Sequence, residues 1–270
     1  LLGAVPAVAE VNPSVAYVAA HDSSSEAQER ATFVCDGHDD QVEIQQALFS
    51  VPVGGTVVLA AGTYNCSTMI IPKANTTLKG EGADSTFLRF SRTGRISVEQ
   101  EGVTLDSFHI QGHQHSSSIK WLGVLTIYAS HTKVHNITGT ADASIQAVFL
   151  LLHNPPVYQP TLEDIEFVNC RVVDTGTYGF LHNAWGTENK VIKNVRYEDC
   201  QAINCGQFGA FNSWVTGFNF AELNDIENLR VNNCLAEGTL ESGFHFEWDP
   251  EKRDCILTNC VSRDNGQKEY

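Results

Sequence analysis

The sequence predicts an all-β chain wound into a parallel β-helix, a solenoid of stacked three-strand coils. Three observations predict it. Four segments share one register, ending at Cys170, Cys200, Cys234 and Cys260, with spacings of 30, 34 and 26 residues. A period of this length marks a stacked repeat architecture. Apolar residues recur at every second position before each anchor: Ile165 and Phe167, Val195 and Tyr197, Leu229 and Val231, Cys255 and Leu257. That alternation is a strand with one buried face. Immediately before each anchor stands Asn169, Asp199, Asn233 or Asn259. Asn and Asp tolerate left-handed backbone, so this column predicts a repeated tight bend.

Each unit continues in the same way. A short strand follows the anchor, then a turn cluster such as residues 174–179 or 204–209, then a third apolar stretch, Phe180-Leu181 or Ala210-Phe211. Gly179, Gly209 and Gly243 align nine residues after their anchors; only Glu269 departs. There is no room for a crossover helix between strands. The register extends backward through Val134, Asn136 and Ile137, and through Val103, Leu105, Phe108 and Ile110. Six or more coils are expected from about residue 56. The chain ends inside a unit short of its third strand, so a continuation is expected.

The amino-terminal third prepares this stack. Residues 1–9 resemble the tail of a secretory signal, with Ala7-Val8-Ala9 as a small-x-small cleavage site, or else form a short arm. Residues 10–270 form a single domain. Residues 39–50 predict a helix whose apolar side is Val42, Ile44, Ala47 and Leu48, capped by Asp39 or Asp40. Strands are expected at 54–59, 69–71, 76–82 and 87–90.

Composition narrows the function. Thirty-two acidic side chains against 17 basic ones give a net charge of −15. Nucleic acid, which needs basic stripes, is not expected as a partner. An acidic surface suits divalent cations, so calcium is the one cofactor it favours. No run of 18 apolar residues spans a membrane. Asn65, Asn75 and Asn136 each begin an Asn-x-Ser/Thr sequon, compatible with an exported glycoprotein. The anchor cysteines read as a buried column of thiols. No Cys-x-x-Cys pair suggests zinc, and Cys35 and Cys66, flanking the cap, are the pair expected to be bridged.

The string Cys35-Asp-Gly-His-Asp-Asp-Gln-Val-Glu-Ile-Gln45, then Gly-Thr-Val-Val-Leu59, Gly62-Thr-Tyr64 and Thr77-Leu-Lys-Gly-Glu-Gly82 resembles the opening of right-handed β-helix proteins of the pectin-lyase-like superfamily. It is similar to a secreted and cell-surface subgroup of methanogenic archaea and bacteria. The resemblance implies a right-handed parallel β-helix (solenoid) with an N-terminal capping helix that plugs the open end and prevents edge pairing. It implies polysaccharide or glycan as partner and a secreted or cell-surface location, with a homo-oligomer or surface assembly as a further expectation. It leaves activity open, because the superfamily holds lyases, hydrolases, epimerases and non-catalytic proteins. The Arg-x-Pro-x-x-Arg signature of pectate lyases is absent, as are the Asn-Thr-Asp and Gly-His-Gly motifs of polygalacturonases. Residues 243–251 are similar to the Asp-Pro-His-Glu segment of alginate epimerases but lack the His after Pro250.

Chemistry is expected in a band just after the glycine column, residues 181–185, 211–214 and 245–249, with an earlier His153-Asn154. In this register Asn183, Ser213 and Glu247 stack, and Trp214 stacks with Trp248. Trp185, Trp214 and Trp248 offer flat faces for sugar rings, while His153, Asn183 and Asn212 bond hydroxyls. His182 or His245 would serve as base or acid, with Glu247 and Asp249 as carboxylates. The run His109, His113, His115 would chelate a metal only from a loop, and no acid or Cys stands at the usual spacing beside it, so no metal site is assigned. The acidic turn at Asp36, Asp39 and Asp40 reads as helix capping, with calcium as the alternative. The expected function is a carbohydrate-active lyase or hydrolase with a groove along the solenoid; the alternative is a non-catalytic surface or sheath protein that binds glycans.

Overall fold

The computed structural model describes residues 14–153, 161–184, 190–207, 209–220, 225–247 and 251–266. Among the described residues, three all-parallel sheets contain ten, eight and seven strands. Each coil contributes one strand to each sheet in turn, as in Thr161–Val168, Arg171–Thr175 and Tyr178–Ala184. The next coil repeats this with Val191–Glu198, Gln201–Cys205 and Phe218–Asn219. The architecture is the right-handed parallel β-helix expected.

The interior is built from columns of like residues. Phe149, Phe180, Phe218 and Phe244 stack along the third sheet at 4.9, 4.6 and 4.8 Å between centroids. Phe167 and Tyr197 stack at 4.9 Å on the first. Each such pair adds about 0.5–1.5 kcal/mol beyond area burial. Cys170, Cys200 and Cys234 form the buried thiol column, while Cys260 is half-buried. Cys35 and Cys66 are free buried thiols, so the expected bridge between them is not formed.

The bend from first to second sheet is made by left-handed residues, as the Asn column predicts. Asn136, Asn169, Asp199, Asn233 and Asn259 have φ between 52° and 55°. The Asn169 amide donates to Asn136 Oδ1 at 2.8 Å, and the Asn136 amide to Asp106 Oδ1 at 2.9 Å. A second left-handed column interrupts the first-sheet strands at Asp164, Asn194, Asn228 and Asp254. There Asn228 donates to Asn194 and Asn194 to Asp164, each at 2.8 Å.

The capping helix spans Gln41–Ser50. It buries Ile44, Ala47 and Leu48, but Val42 is 46% exposed and Gln41 takes the buried place instead. The reason lies in the free edge of the first coil. Gln41 Oε1 accepts from Ser67 N at 3.0 Å, and Gln45 Oε1 accepts from Ile71 N at 2.9 Å while its amide donates to Ile71 O at 3.0 Å. Asp40, at the helix N-cap position, makes no cap bond. Its carboxylate instead accepts from Gly37 N at 2.9 Å and Asn65 N at 2.6 Å. Side chains of the helix thus satisfy strand groups that no neighbouring strand meets. A short preceding helix, Ser25–Arg30, was not expected; Ser24 caps it. Among the described residues, no helix is long and apolar enough to cross a membrane.

Candidate functional site

The loops between second and third strands decide where polar chemistry is displayed. In the coil after Gln201–Cys205 this loop carries an insertion. Phe180 pairs with Phe218 and Phe218 with Phe244, so Gly217, not Gly209, continues the glycine column of Gly179 and Gly243. Asn212, Ser213 and Trp214 therefore lie in the loop. They do not stack in a strand with Asn183 and Glu247, which corrects the sequence register. Gly209 stands nine residues after Cys200, the same offset as Gly179 from Cys170 and Gly243 from Cys234, which is why the shorter alignment fitted.

The loop is docked at both ends. Phe211 N donates to Gly176 O at 2.7 Å, and Glu241 N to Val215 O at 3.0 Å. Asn212 Oδ1 accepts from Tyr178 Oη at 3.2 Å and from Trp214 N at 2.9 Å. Trp214 is 66% exposed. Trp121, 53% exposed in the turn after Ser117–Ile119, meets Phe211 edge-on at 5.3 Å and 82°. Lys120 Nζ lies 5.4 Å from the Trp121 ring and 5.1 Å from Phe211. Two long turns thus lean toward one another across two short ones and form an aromatic ridge.

The next coil, joined to this loop by the Glu241 N to Val215 O hydrogen bond, carries a histidine between two carboxylates. His245, at the end of the short strand Phe244–His245, has Nδ1 3.5 Å from Glu241 Oε2 and Nε2 3.5 Å from Glu247 Oε1. Ser242 Oγ donates to Glu241 Oε2 at 2.6 Å. His245 and Glu247 were expected here with Trp214 and Asn212. Glu241 was missed, because it lies in the turn before Phe244–His245, where no periodicity marks it. An imidazole with a carboxylate at each nitrogen can take a proton on one side and release one on the other. Two carboxylates near one sugar are also what glycosidic hydrolysis uses.

His182 is not part of this surface. It is fully buried with Nε2 2.8 Å from Tyr197 Oη, and its ring meets Phe220 edge-on at 5.1 Å. Burial pushes its pKa down to about 3. Strand alternation puts it on the same inward face as Phe180, so the expected catalytic role is corrected to a core role. His153 and Asn183 are also buried; the His153 carbonyl accepts from Lys190 Nζ at 3.3 Å, and Asn183 Oδ1 accepts from Ala184 N at 2.7 Å. Every residue of Ala147–His153 and Tyr178–Ala184 is buried. Asn154, Trp185, Trp248 and Asp249 lie outside the described residues.

The three-histidine run is a strand, His109–His115, and not a loop. His113 Nδ1 meets Asp142 at 2.9 Å, His115 turns inward to Gly94 O at 3.0 Å, and His109 lies tilted against Phe87 at 5.4 Å between ring centroids. Their divergence prevents chelation. In the acidic turn, Asp36 accepts from His38 N at 2.9 Å and Asp39 from Ser67 Oγ, so these carboxylates serve the turn itself. One metal-type grouping went unread in the sequence: ligand atoms of Cys35, Asp40 and Glu43 lie within 4.8 Å of one another beneath the cap. Burial, then the Asp40 and Glu43 charges, push the Cys35 thiol far up. The thiol is thus held as a neutral group beside the Asp40 tie.

Residues 34–263 match the model of a family described as rhamnogalacturonase A/epimerase, pectate lyase-like. No curated protein matches at a significant level. Among solved structures, ORF18 of Geobacillus virus E2 is 14% identical, covering 83% of this chain and 46% of that one, with TM-score 0.47. A PL6 family polysaccharide lyase from Pseudopedobacter saltans is 13% identical, covering 76% and 64%, with TM-score 0.36. A rhamnogalacturonan lyase is 11% identical, covering 91% and 74%, with TM-score 0.37. The chain spans less than half of the viral protein's length and less than two thirds of that of the Pseudopedobacter lyase.

Proposed function

This chain belongs to the rhamnogalacturonase A/epimerase, pectate lyase-like family, and from that premise we propose that it is a carbohydrate-active lyase or hydrolase that cleaves polysaccharide at the ridge of Trp214. The observation that carries this reading is His245 held between Glu241 and Glu247 on the coil joined to the Trp214 loop. Sugar rings have apolar faces, and an exposed indole offers a matching plane. Asn212 provides an amide at the rim for hydroxyls. In a lyase, His245 takes the proton beside a uronate carboxylate, the electron pair left behind closes a C=C bond as the glycosidic oxygen departs and is protonated from water, and the flanking glutamates stabilise the imidazolium. In a hydrolase, one glutamate protonates the glycosidic oxygen while the other activates water. The protein works outside the cell, and Asn75 is the sequon that would carry a glycan. The amides of Asn65 and Asn136 are already committed to Gly37 O and Asp106.

A specific observation favours the second reading, a non-catalytic surface protein that binds glycans: two successive third-sheet strands are buried throughout and leave no open strand face there. A glycan-array and depolymerisation screen, with and without calcium, separates the two. Turnover that is lost in Glu247→Gln and weakened in Trp214→Ala supports the enzyme, and an unsaturated uronate product identifies it as a lyase. Binding without turnover, lost in Trp214→Ala alone, supports the surface protein.

A further inference from the structure

On a different sheet, against the cap, lies a cavity of about 500 Å³. That volume is within the range of small-ligand sites. Its floor is formed by three neighbouring second-sheet strands, Gly62–Cys66, Thr86–Arg92 and His109–His115. Pairing sets Asn65 beside Arg89 and Arg89 beside Gln111. Two residues further along, on the same outward face, Ser67, Ser91 and His113 form a second polar row. The cap turn at His38 and Asp39 closes the near side.

The charges here are unevenly committed. Asp39 is bonded by Ser67 and Gln41, and Asp142 by His113, Gln114 N and Ser144. Arg89 forms no ion pair or hydrogen bond among the described residues, although the chain carries 32 acidic side chains against 17 basic ones. A guanidinium between two amides, unneutralised in so acidic a protein, is a fork for a planar carboxylate. Gln111 and Ser91 also make no side-chain bond among the described residues. These neutral groups exceed what an inorganic anion needs and suit hydroxyls.

We propose that this cavity binds an acidic sugar, its carboxylate on Arg89 and its hydroxyls on Gln111, Ser91 and the Oδ1 of Asn65, whose Nδ2 is held by Gly37 O. The site is separate from the Trp214 ridge and does not rest on the function proposed there.

Titration calorimetry of the full chain with D-galacturonate, D-galactose and sulfate tests it. Galacturonate binds, and galactose and sulfate each bind at least about tenfold more weakly, the scale of one charge-assisted hydrogen-bonded pair. Arg89→Gln brings galacturonate down to the galactose level, and Gln111→Ala weakens it. Both variants lie on an exposed face, and an unchanged thermal midpoint confirms their folding. The proposal is overturned by no galacturonate binding, by sulfate binding as tightly, or by binding that survives Arg89→Gln.

Discussion

The imidazole of His182 and the hydroxyl of Tyr197 meet at 2.8 Å inside the solenoid, while the other imidazole nitrogen, Nδ1, is buried without a partner. The folded state therefore holds this histidine neutral, with its pKa depressed from 6.5 to about 3. Between those values the unfolded chain binds the extra proton and the folded chain does not. The stabilising contribution is complete above pH 6.5 and is lost as pH falls toward 3. Urea midpoints at pH 7 and pH 4 should drop further for the wild type than for His182→Leu. Equal drops would mean that His182 is not held neutral. At pH 7 the variant itself loses roughly 1–3 kcal/mol, because Tyr197 keeps a buried hydroxyl without a partner, and this deficit shrinks toward pH 4, where only the wild type carries the cost of the neutral imidazole.

Asn194 sits at φ 54° and links Asp164 to Asn228 through its amide. Asn194→Ala removes both bonds and leaves a Cβ residue in left-handed backbone, costing about 1–3 kcal/mol. Asn194→Gly removes only the bonds and should cost less. Denaturation of the two variants side by side separates the backbone contribution from the ladder.

The corrected glycine column makes its own prediction. A Cβ on Gly179 would lie 2.5 Å from Gly217 O, whereas one on Gly209 meets nothing within 4 Å. Gly179→Ala should destabilise by several kcal/mol. Gly209→Ala, at φ 78°, should cost only about 1–2 kcal/mol of backbone strain. The reverse order of thermal midpoints would restore the shorter register.

If His245 moves the proton, His245→Asn lowers kcat by about 10²–10⁴-fold. Glu241→Gln lowers kcat less and shifts the pH–rate profile, since it acts through the imidazole. Trp214→Ala raises KM with kcat nearly intact, as expected of a residue that binds ground and transition states alike. A Glu241→Gln variant with an unaltered profile would remove that residue from the site.

The coils were legible because burial and bending repeat: a thiol or apolar residue must fill each layer, and Asn or Asp must turn each corner. The cap was legible as a helix, but not its inward use of Gln41 and Gln45. Helical periodicity records apolar faces, and the free edge of a sheet asks for amides. His182 misled because a polar residue on an inward position looks the same in sequence as one on the surface; only the partner Tyr197, 15 residues away, distinguishes them. Glu241 was hidden by its place in a turn, where no periodicity applies.

The loop that carries Trp214 leaves the stack after Cys205 and returns at Phe218, where the hydrogen-bonded column resumes as if nothing had intervened. Turn length in this solenoid is therefore independent of register. Insertions and deletions between second and third strands can reshape what the ridge grips while the layers beneath remain unchanged. What the ridge presents can then change with loop length, and libraries that vary the tip residues 212–214, outside the buried Val215 and Thr216, should yield folded proteins far more often than libraries that vary the neighbouring strands.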